Sequence, residues 1–503
     1  MTITVKKHAA TLLALFAFFA AIIFPLAYKS QLWIDEVLDS DPGYNLAFNN
    51  RMALSVWEGG LYRVEEHFFM RPPVGYMVLA TLYKTFGFKR WVTLSLSLIP
   101  AILSFCLTYL IAFYFTREYA ASVLSSVLFG LSPLGMLIAK WARVDALALF
   151  FFCLSLICLL ASERKRVFIQ RALIILSAIF IGLSIQTYQL YGLLLLGYFA
   201  FFIQRLIRKQ GGSLANLLFF TFSLSLTLLI WLKYIMQDLP LFIAQNTHHI
   251  LRDTGITDLY NKGYLVNTLK AVLFSFMENS APTVIFIILG VIFLAKRLPL
   301  YRELSLSFIL LPALGLFFLN ILRGNYIEII LPLGYAGAGF FAVRLIKNIK
   351  NSYYKNSKKL IIIAILILFF ISHLAVGVLA RYFVVIKDWR IRDLGAYEKQ
   401  IAANIPAGSN VLGGPENWYV LYRNGSKLFL LSCLYHKDFN MDKIDYVVLP
   451  GYHRLESDPA LAKFIGKKCS EIARIGKHSY GYYLLDNNRK ESGYGSVIYR
   501  VIK

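Results

Sequence analysis

The sequence predicts an all-α membrane protein of about eleven transmembrane helices, followed by a small soluble α/β domain at the C-terminal end. Three observations predict it. Of 503 residues, 58% are hydrophobic and 16% charged, against about 25% charged in a typical soluble protein. Apolar runs near 20 residues recur along most of the chain, each long enough to cross a bilayer core of roughly 30 Å as a helix. After Tyr382 those runs stop, and short β-prone stretches alternate with Gly, Pro and Asn.

The first run, 9–28, follows Lys6 and Lys7. It is long for a signal peptide and no A-x-A site follows it, so it reads as an uncleaved helix with a cytoplasmic N-terminus. Ten more runs lie at 92–115, 119–140, 146–162, 169–187, 189–204, 214–235, 281–295, 304–321, 326–343 and 360–381. Basic residues occupy alternate loops: Arg117; Arg164, Lys165, Arg166 and Arg171; Arg205, Arg208 and Lys209; Lys296, Arg297 and Arg302; Lys347, Lys350, Lys355, Lys358 and Lys359. This is the positive-inside pattern. The net charge of +24 therefore follows membrane topology and not a nucleic-acid-binding face.

Eleven crossings put the tail opposite the N-terminus. The expected division is a membrane domain over 1–381 and an extracytoplasmic domain over 382–503. In the latter, a helix from Asp388 to Ile405 stops at Pro406. Strands are expected at Asn410–Gly413, Leu428–Leu431, Tyr446–Leu449, Tyr482–Leu485 and Val497–Ile502. Cys106, Cys153 and Cys158 lie in apolar runs and read as packing residues. Cys433 and Cys469 lie in the tail, on the oxidising side, and are expected to form a disulfide.

The topology gathers three polar features on the outer face. In the long loop 29–91, Asp35, Glu36, Asp39 and Asp41 fall within seven positions, and Arg71-Pro72-Pro73 comes thirty residues after Asp41. Alone, this fits either a solvated acidic loop with a Pro turn or a reactive site. In Trp141-Ala-Arg143-Val-Asp145, Asp145 stands where one run ends and the next begins. It is either a helix cap or a functional charge at the membrane. In the loop from Asp238 to about Pro282, Asn246-Thr-His248-His249 reads as an interfacial polar stretch or a source of ligands. Neighbouring helical side chains point about 100° apart, so one site would not use both histidines.

This order and spacing resemble the GT-C glycosyltransferases, and most of all the branch of protein O-mannosyltransferases and the bacterial transferase that adds aminoarabinose to lipid A. That family has an acidic motif in a long first outer loop and a Lys-Pro-Pro-like segment about thirty residues later. A second Asp follows in an Arg-x-x-Asp-like context in the next outer loop. Here the corresponding residues are Asp41, Met52, Arg71-Pro72-Pro73 and Arg143-Val-Asp145, and the resemblance covers roughly 1–345. There are departures. The family's Asp-Glu with a Tyr four residues on is split between Asp35-Glu36, which lacks the Tyr, and Asp41, which is followed by Pro42 and Tyr44. Arg71 replaces Lys, and Met70 stands where the aminoarabinose transferase has a metal-binding Glu.

The resemblance implies an inverting transfer of sugar from a polyprenyl-phosphate donor to a lipid (lipid A-like) or glycan acceptor, in a bacterial inner membrane and on its outer face. Asp41 is the expected base and Asp145 the expected orienting residue, with Asp35, Glu36 and Asp39 as the alternative carboxylates. Arg71, Arg143 and Arg323 are the expected phosphate ligands. His248, His249 and Glu66 are candidates to meet acceptor or sugar, or to hold a divalent metal. Membrane lipids are expected partners and nucleic acid is not. A protein O-mannosyltransferase is the second enzymatic reading. A transporter or flippase is the non-enzymatic one, although its repeated halves and midplane polar sites have no counterpart in this sequence.

Overall fold

The computed structural model describes residues 2–59, 61–163, 165–209, 212–254, 281–318, 324–350, 356–436, 438–453, 458–477, 479–480 and 491–502. Every expected apolar run is helical over most of its described length. The helices up to residue 254 are α1 (Thr2–Tyr28), α2 (Ile34–Phe48), α3 (Val74–Phe86), α4 (Arg90–Thr116), α5 (Tyr119–Gly130), α6 (Pro133–Lys140), α7 (Asp145–Ser162), α8 (Val167–Thr187), α9 (Leu194–Ile207), α10 (Ser213–Ile235) and α11 (Leu239–Thr254).

Among the described residues, eight helices are long and apolar enough to span a bilayer, or nine if the bent pair α5 and α6 counts as one span. The expected eleven differ from this for local reasons. The run 119–140 breaks by 60° between α5 and α6. There Ser132 caps α6 by accepting the Gly135 N–H at 2.9 Å, and Pro133 takes the first helical position. Ala281–Arg297 has 17 residues. The run 304–321 passes from Pro299–Ser305 through a π turn, Leu306–Leu310, into Leu311–Phe318. Pro312 follows that turn, and its ring crowds the carbonyl four residues back, which the wider π turn relieves.

The basic loops meet at one end of the bundle. Glu163 pairs with Arg205 at 2.5 Å, Glu303 with Arg208, and Glu118 with Arg344 at 2.5 Å and Lys347 at 3.0 Å. The opposite end holds α2, α3 and the α6–α7 turn, where Arg90 donates to the Ser30 carbonyl at 2.6 Å and Lys29 lies 3.8 Å from Asp393.

The tail begins with a helix, Leu394–Asn404, and continues into a five-stranded sheet. Its strands are β1 (Asn410–Gly413), β2 (Lys427–Leu430), β3 (Tyr446–Pro450) and β4 (Cys469–Gly476), with a last strand, Gly495–Val501, inserted between β3 and β4. β1 runs parallel to β2 and β3, while Gly495–Val501 is antiparallel to both its neighbours. β4 was not expected, because its exposed Cys-Ser-Glu-Ile-Ala-Arg pattern carries little strand propensity and is fixed by its pairing. The strand expected at 482–485 lies outside the described residues. The expected disulfide is not formed. Cys433 is buried with its Sγ 3.4 Å from the Val56 carbonyl, while Cys469 opens β4 opposite Val501.

Two apolar cores divide the chain. One fills the bundle around Phe19, Phe105, Phe129 and Phe152. The other joins Val37, Tyr76, Leu79 and Val92 to Trp418, Val447 and Ile498. The segment between α1 and α4 and the tail sheet thus share one interior, with Phe88 packed on Trp418 and Tyr419 at 4.9 and 5.2 Å.

Candidate functional site

The site is built on α2. Glu36, at the third helical position, accepts the Trp33 N–H at 3.2 Å, which satisfies one of the open donors of the helix start. Asp35 and Asp39, four residues apart, lie on one face. Asp41 lies about 200° around the helix from Asp39, and its surroundings are correspondingly different. It is fully buried. It accepts the Ser55 N–H at 2.6 Å, the Ser55 hydroxyl at 3.0 Å, the Val56 N–H at 3.3 Å, the Asn45 amide at 3.1 Å and the Trp418 indole N–H at 3.3 Å. Burial pushes its carboxyl up to about 6, with hydrogen bonds from Tyr422, Val56 and Ser55 opposing. Asp41 therefore ties α2 to the following turn and to the tail. The sequence expectation made it the base, yet among the described residues no ion pair joins it to Arg71 or Arg143.

Asp35 and Asp39 meet those arginines. Arg71 lies 2.8 Å from Asp39 and stacks over Tyr188 at 5.4 Å. Arg143 reaches Asp35 at 3.0 Å, Asp145 at 2.9 Å and Asp39 at 3.8 Å. Side-chain exposure separates the roles: 2% for Asp39, 4% for Asp145, 9% for Arg143, 19% for Arg71 and 36% for Asp35. Of the three carboxylates, Asp35 is the one open to an incoming molecule. Burial raises the Asp39 carboxyl to about 6 against the pull of Arg71 and Arg143. Burial also opposes the charge on both guanidiniums, but the surrounding carboxylates, Asp39 beside Arg71 and Asp145 beside Arg143, hold them above the ordinary arginine value.

Local chemistry brings these pieces together. Trp33 and Trp141 stack at 5.9 Å with a 4° tilt, clamping the start of α2 to the α6–α7 turn. Gly75 lets α3 approach that turn: a Cβ there would stand 2.7 Å from Val144 Cγ1. The backbone just before Arg71 is held from several sides. Tyr234 donates to the Phe68 carbonyl at 2.8 Å, Asn246 to that of Phe69 at 3.0 Å and Gln189 to that of Met70 at 3.1 Å, while Gln245 accepts the Phe69 N–H at 2.8 Å.

Sequence reasoning singled out Asn246 as part of a polar stretch but missed Gln189, Tyr234 and Gln245, because a lone Gln or Tyr at a helix end carries no spacing signal. It also gave no role to the pair in which Tyr191 donates to buried Glu328 at 3.0 Å, within the electrostatic reach of Asp145 and Arg143. An acid heading an apolar run was the available signal.

Glu66 is exposed and paired with Arg63, away from the cluster. Arg323 and the side chains of His248 and His249 lie outside the described residues. Among the described residues, no group of three or more His, Cys, Asp or Glu side chains is arranged to hold a metal. The cluster's carboxylates already face two guanidiniums, whose charge opposes a divalent cation. These residues do not fit a metal.

No family model matches the sequence, and no curated protein matches it either. Solved structures do match in three dimensions. The chain superposes on ArnT from Cupriavidus metallidurans bound to undecaprenyl phosphate with a TM-score of 0.61 at 12% identity, covering 100% of this chain and 98% of that one. The apo state of the same protein gives 0.55 at 13% identity, with 99% and 98% covered. The apo Archaeoglobus fulgidus oligosaccharyltransferase gives 0.50 at 10% identity, covering 88% of this chain and 69% of that one. Low identity with end-to-end superposition establishes architecture: this multi-pass membrane chain is built on the GT-C fold.

Proposed function

We propose that this protein is an inverting glycosyltransferase that moves a sugar from a polyprenyl-phosphate carrier to a lipid or glycan acceptor on the non-cytoplasmic face. The observation that carries this reading is the junction of Asp35, Asp39 and Asp145 with Arg71 and Arg143. The binding of undecaprenyl phosphate to ArnT, on the same fold, supports the donor class.

In the proposed reaction an acceptor hydroxyl oxygen attacks the anomeric carbon. The new C–O bond forms as the bond from that carbon to the phosphate oxygen breaks, and polyprenyl phosphate leaves with the electron pair. Asp35, the exposed carboxylate, takes the hydroxyl proton. Arg71 and Arg143 stabilise the charge growing on the phosphate, since a guanidinium fork matches phosphate oxygens and preorganised cations favour the transition state. Asp39 and Asp145 hold the two forks in place. With its carboxyl raised to about 6, Asp39 gives up its charge readily when a phosphate comes to share Arg71. Asp41 is assigned a structural role.

The test is release of polyprenyl phosphate from a panel of polyprenyl-phosphate sugars by the purified chain with membrane-lipid extract as acceptor. Release that is lost in both Asp35→Asn and Arg71→Gln supports the assignment. Undiminished release in both variants would remove this cluster as the site, and no release from any donor would count against the donor class.

A further inference from the structure

A second polar feature lies on the other side of the Arg71 segment. A groove of about 530 Å³ runs between α2–α3 and the end of α10, within the range of sites that take a small-molecule-sized group, about 300–1,000 Å³. Arg51, Lys84, Lys233 and His67 line it, and no acidic residue does. Arg51, Lys84 and Lys233 are all exposed and make no ion pair among the described residues. Glu66, which interacts electrostatically with Arg51 and His67, is paired directly with Arg63. Three exposed cations without a direct ion pair among the described residues thus line one concavity, and of these Arg51 also feels Glu66.

The rest of the wall is apolar. Met77 and Ile230 line the groove and are 47% and 48% exposed. Ile230 and Lys233 lie on the last turns of α10, a membrane-spanning helix, so the groove sits where hydrocarbon gives way to headgroups. Lysines ending a span direct their charge to that boundary. A free anion would gain nothing from Met77 and Ile230, whereas an amphiphile uses both halves.

We infer that this groove binds the phosphate-bearing headgroup of an acylated anionic lipid, its phosphate among Arg51, Lys84 and Lys233 and the start of an acyl chain along Met77 and Ile230. Pro73, two residues after Arg71, also lines the groove, so a bound lipid rests against the segment carrying the proposed phosphate ligand. The inference does not depend on glycosyl transfer.

The experiment is native mass spectrometry of the detergent-purified full chain, titrated with phosphatidylglycerol, phosphatidylcholine or inorganic phosphate. Four proteins are compared: the native chain, the groove variant Arg51→Gln/Lys84→Gln/Lys233→Gln, the equally charged tail variant Lys399→Gln/Lys463→Gln/Lys467→Gln, and Arg71→Gln. The native chain, the tail variant and Arg71→Gln should retain phosphatidylglycerol over phosphatidylcholine. The groove variant should bind it about tenfold or more weakly, given the attraction each basic residue contributes near an anionic headgroup.

Undiminished binding by the groove variant, equal loss in the tail variant, or full competition by inorganic phosphate would each overturn the inference. Loss in Arg71→Gln alone would move the lipid to the proposed active site and also overturn it. The three groove cations are solvent-exposed, so the variant is expected to fold. If it does not, Lys84→Glu and Lys233→Glu taken singly carry the same test.

Discussion

At the scale of the residue, two aspartates six positions apart have opposite fates. Asp35 is open and paired with Arg143, while Asp41 is sealed by donors from Ser55, Val56, Asn45 and Trp418. Asp35→Asn keeps the size of the side chain and removes its basicity, so turnover should fall by roughly 10²-fold or more, the scale of lost general-base assistance. Asp41→Asn should leave turnover per folded molecule near that of the native chain. Initial rates of sugar transfer on both purified variants check this, and the reverse result would return the base to Asp41. A pH dependence belongs here too. Burial raises the Asp39 and Asp41 carboxyls from 3.8 to about 6. Between those values the folded chain binds more protons than the unfolded one, so stability rises as pH falls. Their contribution is fully present below 3.8 and lost as pH rises through about 6. Melting in detergent should occur at a higher temperature at pH 5 than at pH 7.5, and Asp41→Asn should reduce that difference. An identical difference in the variant would show that Asp41 does not titrate in this window.

At the scale of the element, the sequence displayed the site's ingredients but hid their geometry. Asp35 to Asp41 read as an acidic loop, yet the segment is helical and α2 runs through Pro42-Gly43, a pair that often marks a turn, to Phe48. Once the segment is known to be helical, the spacing of about 100° per residue turns Asp35 and Asp39 to one side and Asp41 to the other. Without the helix, that choice could not be made, and the thirty-residue interval to Arg71 favoured Asp41. The bilayer runs were legible because each states its hydrophobicity over a whole span. The extra break at Ser132-Pro133 and the π turn before Pro312 depend on single residues inside such runs. The contact of α3 with the α6–α7 turn was invisible for another reason: it depends on what Gly75 lacks. Gly75→Ala places a methyl group against Val144 and should cost about 1–3 kcal/mol, the usual scale of overpacking, while moving Arg71 and slowing transfer. Adding Val144→Ala should restore both melting temperature and rate. Failure of the double variant to recover would mean that the two residues do not share that contact.

At the scale of the whole molecule, the proposed topology puts the N-terminus inside and the tail outside, because the basic loops collect at one end of the bundle and the aspartate cluster at the other. A reporter active only outside the cytoplasm, fused after Lys503, should be active; activity of a cytoplasm-only reporter there would reverse the parity. The shared core of the 29–91 segment and the tail also sets a timetable. The Asp41–Trp418 hydrogen bond spans 377 residues of chain, and at synthesis rates of about 5–20 residues per second the partner arrives roughly 20–80 s after Asp41 is made. On the proposed topology, α2 and α3 await the tail residues that cover them over that interval, outside the membrane. A protease added from that side during a pulse-chase should cut the segment in nascent chains and spare it in finished ones, and deletion of 388–503 should leave it permanently open to cleavage. Residues 388–503 thus close over a segment made far earlier, and a ribosome that stalls between them leaves a chain inserted in the membrane and still unfinished.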